Sequence, residues 1–194
     1  MASIRRVCVF CGSQPGGDPA FPTLAEAVGR AIAARGWGLV YGGAKVGTMG
    51  AVADAALRAG GTVYGVIPEK IGQKEIAHDG LDELFVVDGM HARKSMMAHL
   101  SDAFVVLPGG YGTLDETFEA LTWTQLGYHR KPLALLGIDG FWNHLLAHLD
   151  HAVQAGFLRP EHRRLVFAGE EVGSTLDALA AMELPPAPRW IDKP

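Results

Sequence analysis

Short apolar runs rich in β-branched residues alternate with longer stretches of helical periodicity along nearly the whole chain. "RRVCVFCG", "WGLVYGG", "TVYGVIPE", "ELFVVDG", "AFVVLPGG", "KPLALLGIDG" and "RRLVFAGE" read as strands. Between most of them lie helical patterns. "FPTLAEAVGRAIAARG" places Leu24, Ala27, Val28, Ala31 and Ile32 on one face and offers Gly36 as a stop. "TMGAVADAALRAGG", "MHARKSMMAHLSD", "GTLDETFEALTWTQLG", "FWNHLLAHLDHAVQAGF" and "STLDALAAMEL" follow the same logic. Strand–helix alternation predicts parallel strands joined by helical crossovers. Strands that are apolar throughout, rather than alternately, predict a sheet covered on both faces. The expectation is an α/β doubly wound parallel sheet of about seven strands, forming one domain over residues 1–194, with an extended proline-rich tail at 185–194.

In such a sheet the ligand lies outside the carboxyl ends of the strands. Three glycine-rich turns fall at that edge: "CGSQPGG", "YGGAKVGTMG" and "LPGGYGT". Glycine lets backbone N–H groups approach a ligand, and a following helix adds its unpaired donors and positive dipole end, which suits a phosphate. The competing reading is that these glycines only permit tight turns and close packing. "YGGAKVGTMG", with Gly42, Gly47 and Gly50, follows the second strand and departs from G-x-G-x-x-G; Glu69 downstream keeps a ribose contact open. It is not a Walker A loop, because Thr48 stands where the lysine belongs.

The helix predicted to start near Gly112 or Thr113 carries Asp115, Glu116 and Glu119 in its first two turns, with Glu116 and Glu119 on one face. Its dipole alone accounts for Asp115. Arg93 and Lys94 sit in the opening turns of their own helix, where the dipole disfavours cations. That placement predicts a ligand or carboxylate partner.

Composition narrows the function. A formal net charge of −4 lacks the basic footprint of a nucleic-acid binder. The N-terminus has no signal-peptide core and no run reaches the length of a membrane span, so the expected location is the cytoplasm. Cys8 and Cys11 fall on opposite faces of a strand and read as buried core residues rather than a redox pair. His144, His148 and His151 read as a helix-surface stripe, and no metal site is expected. Met90, Met97, Trp123 and Leu126 read as core packing before an apolar pocket. The hydrolase elbow G-x-S-x-G is absent.

"GGAKVGTMG", "MHARK" and "PGGYGTLDE", in that order and spacing, make the chain resemble the LOG (LONELY GUY) family of cytokinin riboside 5'-monophosphate phosphoribohydrolases from about Val7 to Phe157. The resemblance implies a Rossmann-like homodimer that takes a nucleoside 5'-monophosphate, without cofactor or metal, and hydrolyses its N-glycosidic bond. The products would be an adenine-type base and ribose 5-phosphate. N6-prenylated AMP and AMP itself are the implied substrates. Carried over by position, Arg93 and Glu116 match the catalytic pair. Glu75, Lys94, Gly110, Tyr111, Gly112, Thr113, Leu114, Asp115 and Thr122 match substrate-binding positions, with Ser13 a further candidate. Family members once carried the label lysine decarboxylase, but nothing in this sequence resembles a pyridoxal phosphate site. The rival readings are a general AMP nucleosidase, a non-catalytic nucleotide carrier and a nicotinamide-dependent oxidoreductase.

Overall fold

The structure, a computed structural model, describes residues 4–72 and 76–186. Seven strands make one parallel sheet: β1 (Arg6–Phe10), β2 (Gly38–Tyr41), β3 (Val63–Pro68), β4 (Glu83–Val87), β5 (Ala103–Val106), β6 (Leu133–Leu136) and β7 (Val166–Gly169). Their order is β4-β3-β2-β1-β5-β6-β7. Six longer helices correspond to the predicted ones: α1 (Ala20–Ala34), α2 (Gly47–Arg58), α4 (Met90–Leu100), α5 (Tyr111–Leu126), α6 (Asn143–Gln154) and α8 (Val172–Ala181). Two short helices, α3 (Glu69–Ile71) and α7 (Pro160–Arg163), were not foreseen.

The two-residue period of the strands divides the core. Val7, Val9, Val105 and Leu136 face α1, α2 and α8, meeting Val28, Ile32, Val52 and Leu176. Cys8, Phe10, Phe104 and Leu135 face the other way, toward Met97 of α4, Ala120 of α5 and the leucines of α6. Cys8 and Cys11 thus belong to opposite layers, both buried and both free, as strand geometry requires.

Helix ends follow local chemistry. Gly36 takes φ +69 after the last turn of α1. Its N–H donates to Ala33 O, and Trp37 N–H donates to Ile32 O. This is the Schellman pairing, which needs a left-handed residue at that point. Met97 is buried in the core as expected, whereas Met90 is 41% exposed. Among the described residues, no helix is long and apolar enough to cross a membrane.

Candidate active site at the switch point of the sheet

β1 and β5 are neighbours, but the chain leaves β1 toward β2 on one side and leaves β5 toward β6 on the other. The loops after the two strands therefore diverge and open a crevice between them. A cavity of 540 Å³ lies there. Its wall is built from residues 11–16 after β1, the start of α2, Arg93 of α4, residues 108–113 after β5, and Glu116 of α5.

The three glycine turns are not equivalent. α5 begins at Tyr111 with Gly110 at its N-cap, which supplies no side chain to satisfy the first N–H groups. A Cβ on Gly110 or Gly112 would meet nothing within 4 Å, so the fold does not require glycine at either position. Both line the cavity, and the space they leave is space for a ligand. The turn before α2 does something else. Gly47 has φ +59, and a Cβ there would overlap the Ser13 main chain. The Met49 N–H at the start of α2 is already donated to Gly12 O at 3.3 Å. This second turn is a seat for the first loop, and the packing reading is right for Gly47.

The contrast yields a prediction. Gly112→Ala is expected to hold or raise Tm, since alanine is better than glycine in a helix by about 0.5–1 kcal/mol. If this turn cradles the phosphate that the family resemblance implies, the same substitution weakens ribose 5-phosphate binding at least about tenfold, because its Cβ enters the open space of the cavity. Calorimetric titration and thermal melting on the same preparation check both halves.

The charged centre of the site is a buried ion pair. Arg93 Nη1 donates to Glu116 Oε1 at 3.0 Å, and both side chains are about nine-tenths buried. The guanidinium is held from behind: Nε donates to Val66 O at 3.1 Å and Nη2 to Gly42 O at 3.4 Å. These carbonyls stand at the carboxyl ends of β3 and β2. A Cβ on Gly42 would fall on the guanidinium itself, so the glycine there is room for Arg93. Burial pushes the Glu116 carboxyl up from 4.5 to about 7; Arg93 opposes the shift, while Asp115 adds to it. The site thus holds a carboxylate that can exchange a proton near neutral pH, as a general acid or base requires.

Lys94, next to Arg93, points elsewhere. Its Nζ reaches Asp115 Oδ2 at 3.0 Å and Glu119 Oε2 at 3.1 Å. Burial would lower its pKa, but the bonds to those two carboxylates outweigh it and raise the value. Adjacent basic residues on α4 therefore serve different carboxylates on α5: Arg93 takes Glu116 and Lys94 takes Asp115 and Glu119. Ser13, Gly110, Tyr111, Gly112 and Thr113 line the cavity together with Arg93 and Glu116. Lys94, Leu114, Asp115 and Thr122 lie outside its wall. Leu114 packs against the core beside α4, and Thr122 is exposed further along α5. Glu75 lies outside the described residues. Glu69 opens α3 and does not line the cavity. His144, His148 and His151 are exposed on α6, and the described residues contain no cluster able to hold a metal ion.

The apolar part of the wall was not foreseen. Met49, Ile71 and Ile76 line the cavity on the β2–β3 side, and Phe21 and Phe141 meet edge to face at 5.7 Å on the other. These residues come from separate turns, so no periodicity in the sequence connects them.

A parallel α/β sheet whose switch point holds an uncapped helix end and a buried Arg–Glu pair in one cavity defines a Rossmann-type ligand-binding protein. Comparison with known proteins narrows the class. Residues 49–179 match the family described as "Possible lysine decarboxylase". Among the described residues, however, no lysine lines the cavity. The chain is 49% identical over 176 residues, 90% of its length and 89% of the relative's, to a cytokinin riboside 5'-monophosphate phosphoribohydrolase of Rhodococcoides fascians. It is 47% identical over 162 residues, 84% of its length and 75% of the relative's, to the LOG7 enzyme of the same name from Arabidopsis thaliana. Among solved structures, a molybdenum cofactor binding protein from Rippkaea orientalis aligns with TM-score 0.69 and 25% identity, over 93% of this chain and 98% of that one. The chain belongs to the LOG family of cytokinin riboside 5'-monophosphate phosphoribohydrolases.

Proposed function

We propose that this protein hydrolyses the N-glycosidic bond of cytokinin riboside 5'-monophosphates, N6-prenylated AMP above all, releasing the free base and ribose 5-phosphate. The observation that carries the reading is the position of Glu116 relative to the uncapped start of α5. Five residues of helix separate it from Tyr111, a rise of about 7.5 Å. That is of the order of the span from the phosphate of a ribose 5-phosphate to its anomeric carbon. A phosphate on the N–H groups of residues 111–113 sets the anomeric carbon beside the Glu116 carboxylate.

Cleavage of a ribosyl bond passes through an oxocarbenium-like state. The Glu116 carboxylate stabilises that charge and accepts a proton from the attacking water, whose oxygen bonds to the anomeric carbon as the C–N bond breaks. The electron pair of that bond leaves with the base, which takes up a proton. Arg93 fixes the carboxylate, and the cradle fixes the sugar. With the phosphate near β5 and the ribose near the Arg93 anchor on β2 and β3, the base extends toward Met49, Ile71 and Ile76. An apolar wall there favours an alkylated adenine over AMP, and AMP hydrolysis is part of this proposal as the lesser activity.

The working unit of the proposal is one domain acting as a homodimer in the cytoplasm. Met90 on α4 and Phe118 on α5 are exposed apolar residues, with Thr122 one turn beyond Phe118. A face of that kind suits a second copy of the chain, with Thr122 at the interface. The deciding assay is chromatography of products after incubation with AMP and with its N6-isopentenyl derivative. Free base and ribose 5-phosphate in equal amounts, faster from the prenylated substrate, are expected. Tight binding of both nucleotides without base release would identify a carrier instead.

A further inference from the structure

Thr48 opens α2 and is almost fully buried, yet it lines the cavity. Its hydroxyl accepts from Gly12 N–H at 2.9 Å and donates to Gly12 O at 3.0 Å. One hydroxyl thereby spends its proton and one of its lone pairs on a single residue just past the carboxyl end of β1. A hydroxyl that only satisfied its own helix would bond to α2.

Gly12 faces the turn that leads into α5 across a gap about one methyl group wide. A Cβ on it would sit 3.6 Å from the Gly109 Cα and 3.6 Å from Pro108 O, the turn that leads into α5. On its other side Ser13 runs so close to Gly47 that no side chain fits between them. A shift of Gly12 therefore carries Ser13 with it and changes the gap to the turn before α5, the two sides of the proposed cradle.

We propose that Thr48 is a positioning residue for the phosphate cradle: by clasping both main-chain polar groups of Gly12, its hydroxyl sets the distance between the loop carrying Ser13 and the start of α5. It acts through Gly12 and touches no reacting atom. The inference rests on the reading of residues 109–113 as the cradle, but not on hydrolysis itself.

The test is calorimetric titration of the full chain with ribose 5-phosphate, which reads binding whether or not a base is ever released. Thr48→Val keeps the shape and removes the hydroxyl; Thr48→Ser keeps the hydroxyl and removes the methyl. Thr48→Val is expected to weaken binding at least about tenfold at unchanged stoichiometry, and Thr48→Ser to stay within about threefold of the wild type. A role confined to stability would lower the stoichiometry, through the unfolded fraction, and leave Kd unmoved. If Thr48→Val does not accumulate as folded protein, Thr48→Ala is read by the same criteria. Wild-type affinity in the valine or alanine variant, or equal damage in the serine variant, overturns the proposal. Failure of the wild-type protein to bind ribose 5-phosphate overturns the cradle itself.

Discussion

Glu116→Gln is expected to cut base release by about 10²–10⁴-fold, the range for removing a positioned acid–base group, while ribose 5-phosphate still binds. The substitution keeps size and shape. The amide oxygen can still accept from Arg93 Nη1, now bonded to the Glu116 carboxylate at 3.0 Å. What disappears is the negative charge that the proposed reading sets against the anomeric carbon, and the ability to take a proton. Burial is the largest influence on this carboxyl and already works against its charge. A neutral amide is therefore cheaper to bury, which offsets part of the loss of the charged contact to Arg93. The proposed phosphate contacts lie on the first turn of α5 and do not involve the carboxylate. Product chromatography gives the rate, and calorimetry gives the affinity for ribose 5-phosphate. Activity within tenfold of the wild type at unchanged affinity would remove Glu116 from the chemistry.

The architecture was legible because the strands are near-continuous apolar runs and α1, α2, α6 and α8 repeat an apolar face, whereas α4 and α5 turn charged and hydroxyl side chains inward. All seven strands and six helices occur where the pattern predicts them. α3 and α7, three and four residues long, are shorter than the period needed to see a helix. The site was legible only in part. Arg93 could be singled out because a cation at a helix start opposes the dipole, and the structure shows what compensates it: Glu116, Val66 O and Gly42 O. That Gly42 is glycine to admit a guanidinium 51 residues away is invisible in the chain. So is the different employment of like-looking turns. Gly47 and Gly112 both precede or open a helix, but one is pressed against the Ser13 backbone and the other faces open space. The helical rule placed Glu116 and Glu119 on one face, yet Arg93 takes the first and Lys94 the second. Which carboxylate meets which base depends on how α4 packs beside α5, and no local pattern encodes that.

Arg93→Met is expected to slow base release by about 10²-fold or more and to move its pH dependence to higher values. In the wild type the Glu116 carboxyl titrates at about 7, with Arg93 the first influence that holds it down against burial. If the ionised carboxylate is the working form, activity rises with pH through that midpoint. Without the guanidinium the midpoint shifts upward by about 1 or more, as for a carboxyl losing a charged neighbour in contact. A residue acting only on the substrate would lower the rate and leave the midpoint where it was. Stability gives an independent reading of the same pair. Removing one member of a buried ion pair normally costs about 3–5 kcal/mol, because a bare charge is left behind. Here Glu116 can escape that cost by keeping its proton. Its folded value lies above the ordinary 4.5, so between the two the native state binds more protons than the unfolded one, and stability falls as pH rises. In Arg93→Met the folded value is higher still, so the decline runs further into alkaline pH and is deeper. Melting curves from pH 5 to about 9 should show Tm of the variant near that of the wild type at the acid end and falling away above neutrality. The double variant Arg93→Met with Glu116→Gln has no carboxyl to titrate there and should lose the added slope. An unchanged pH midpoint in the single variant, or a slope that survives in the double one, would mean that Arg93 does not govern the charge of Glu116.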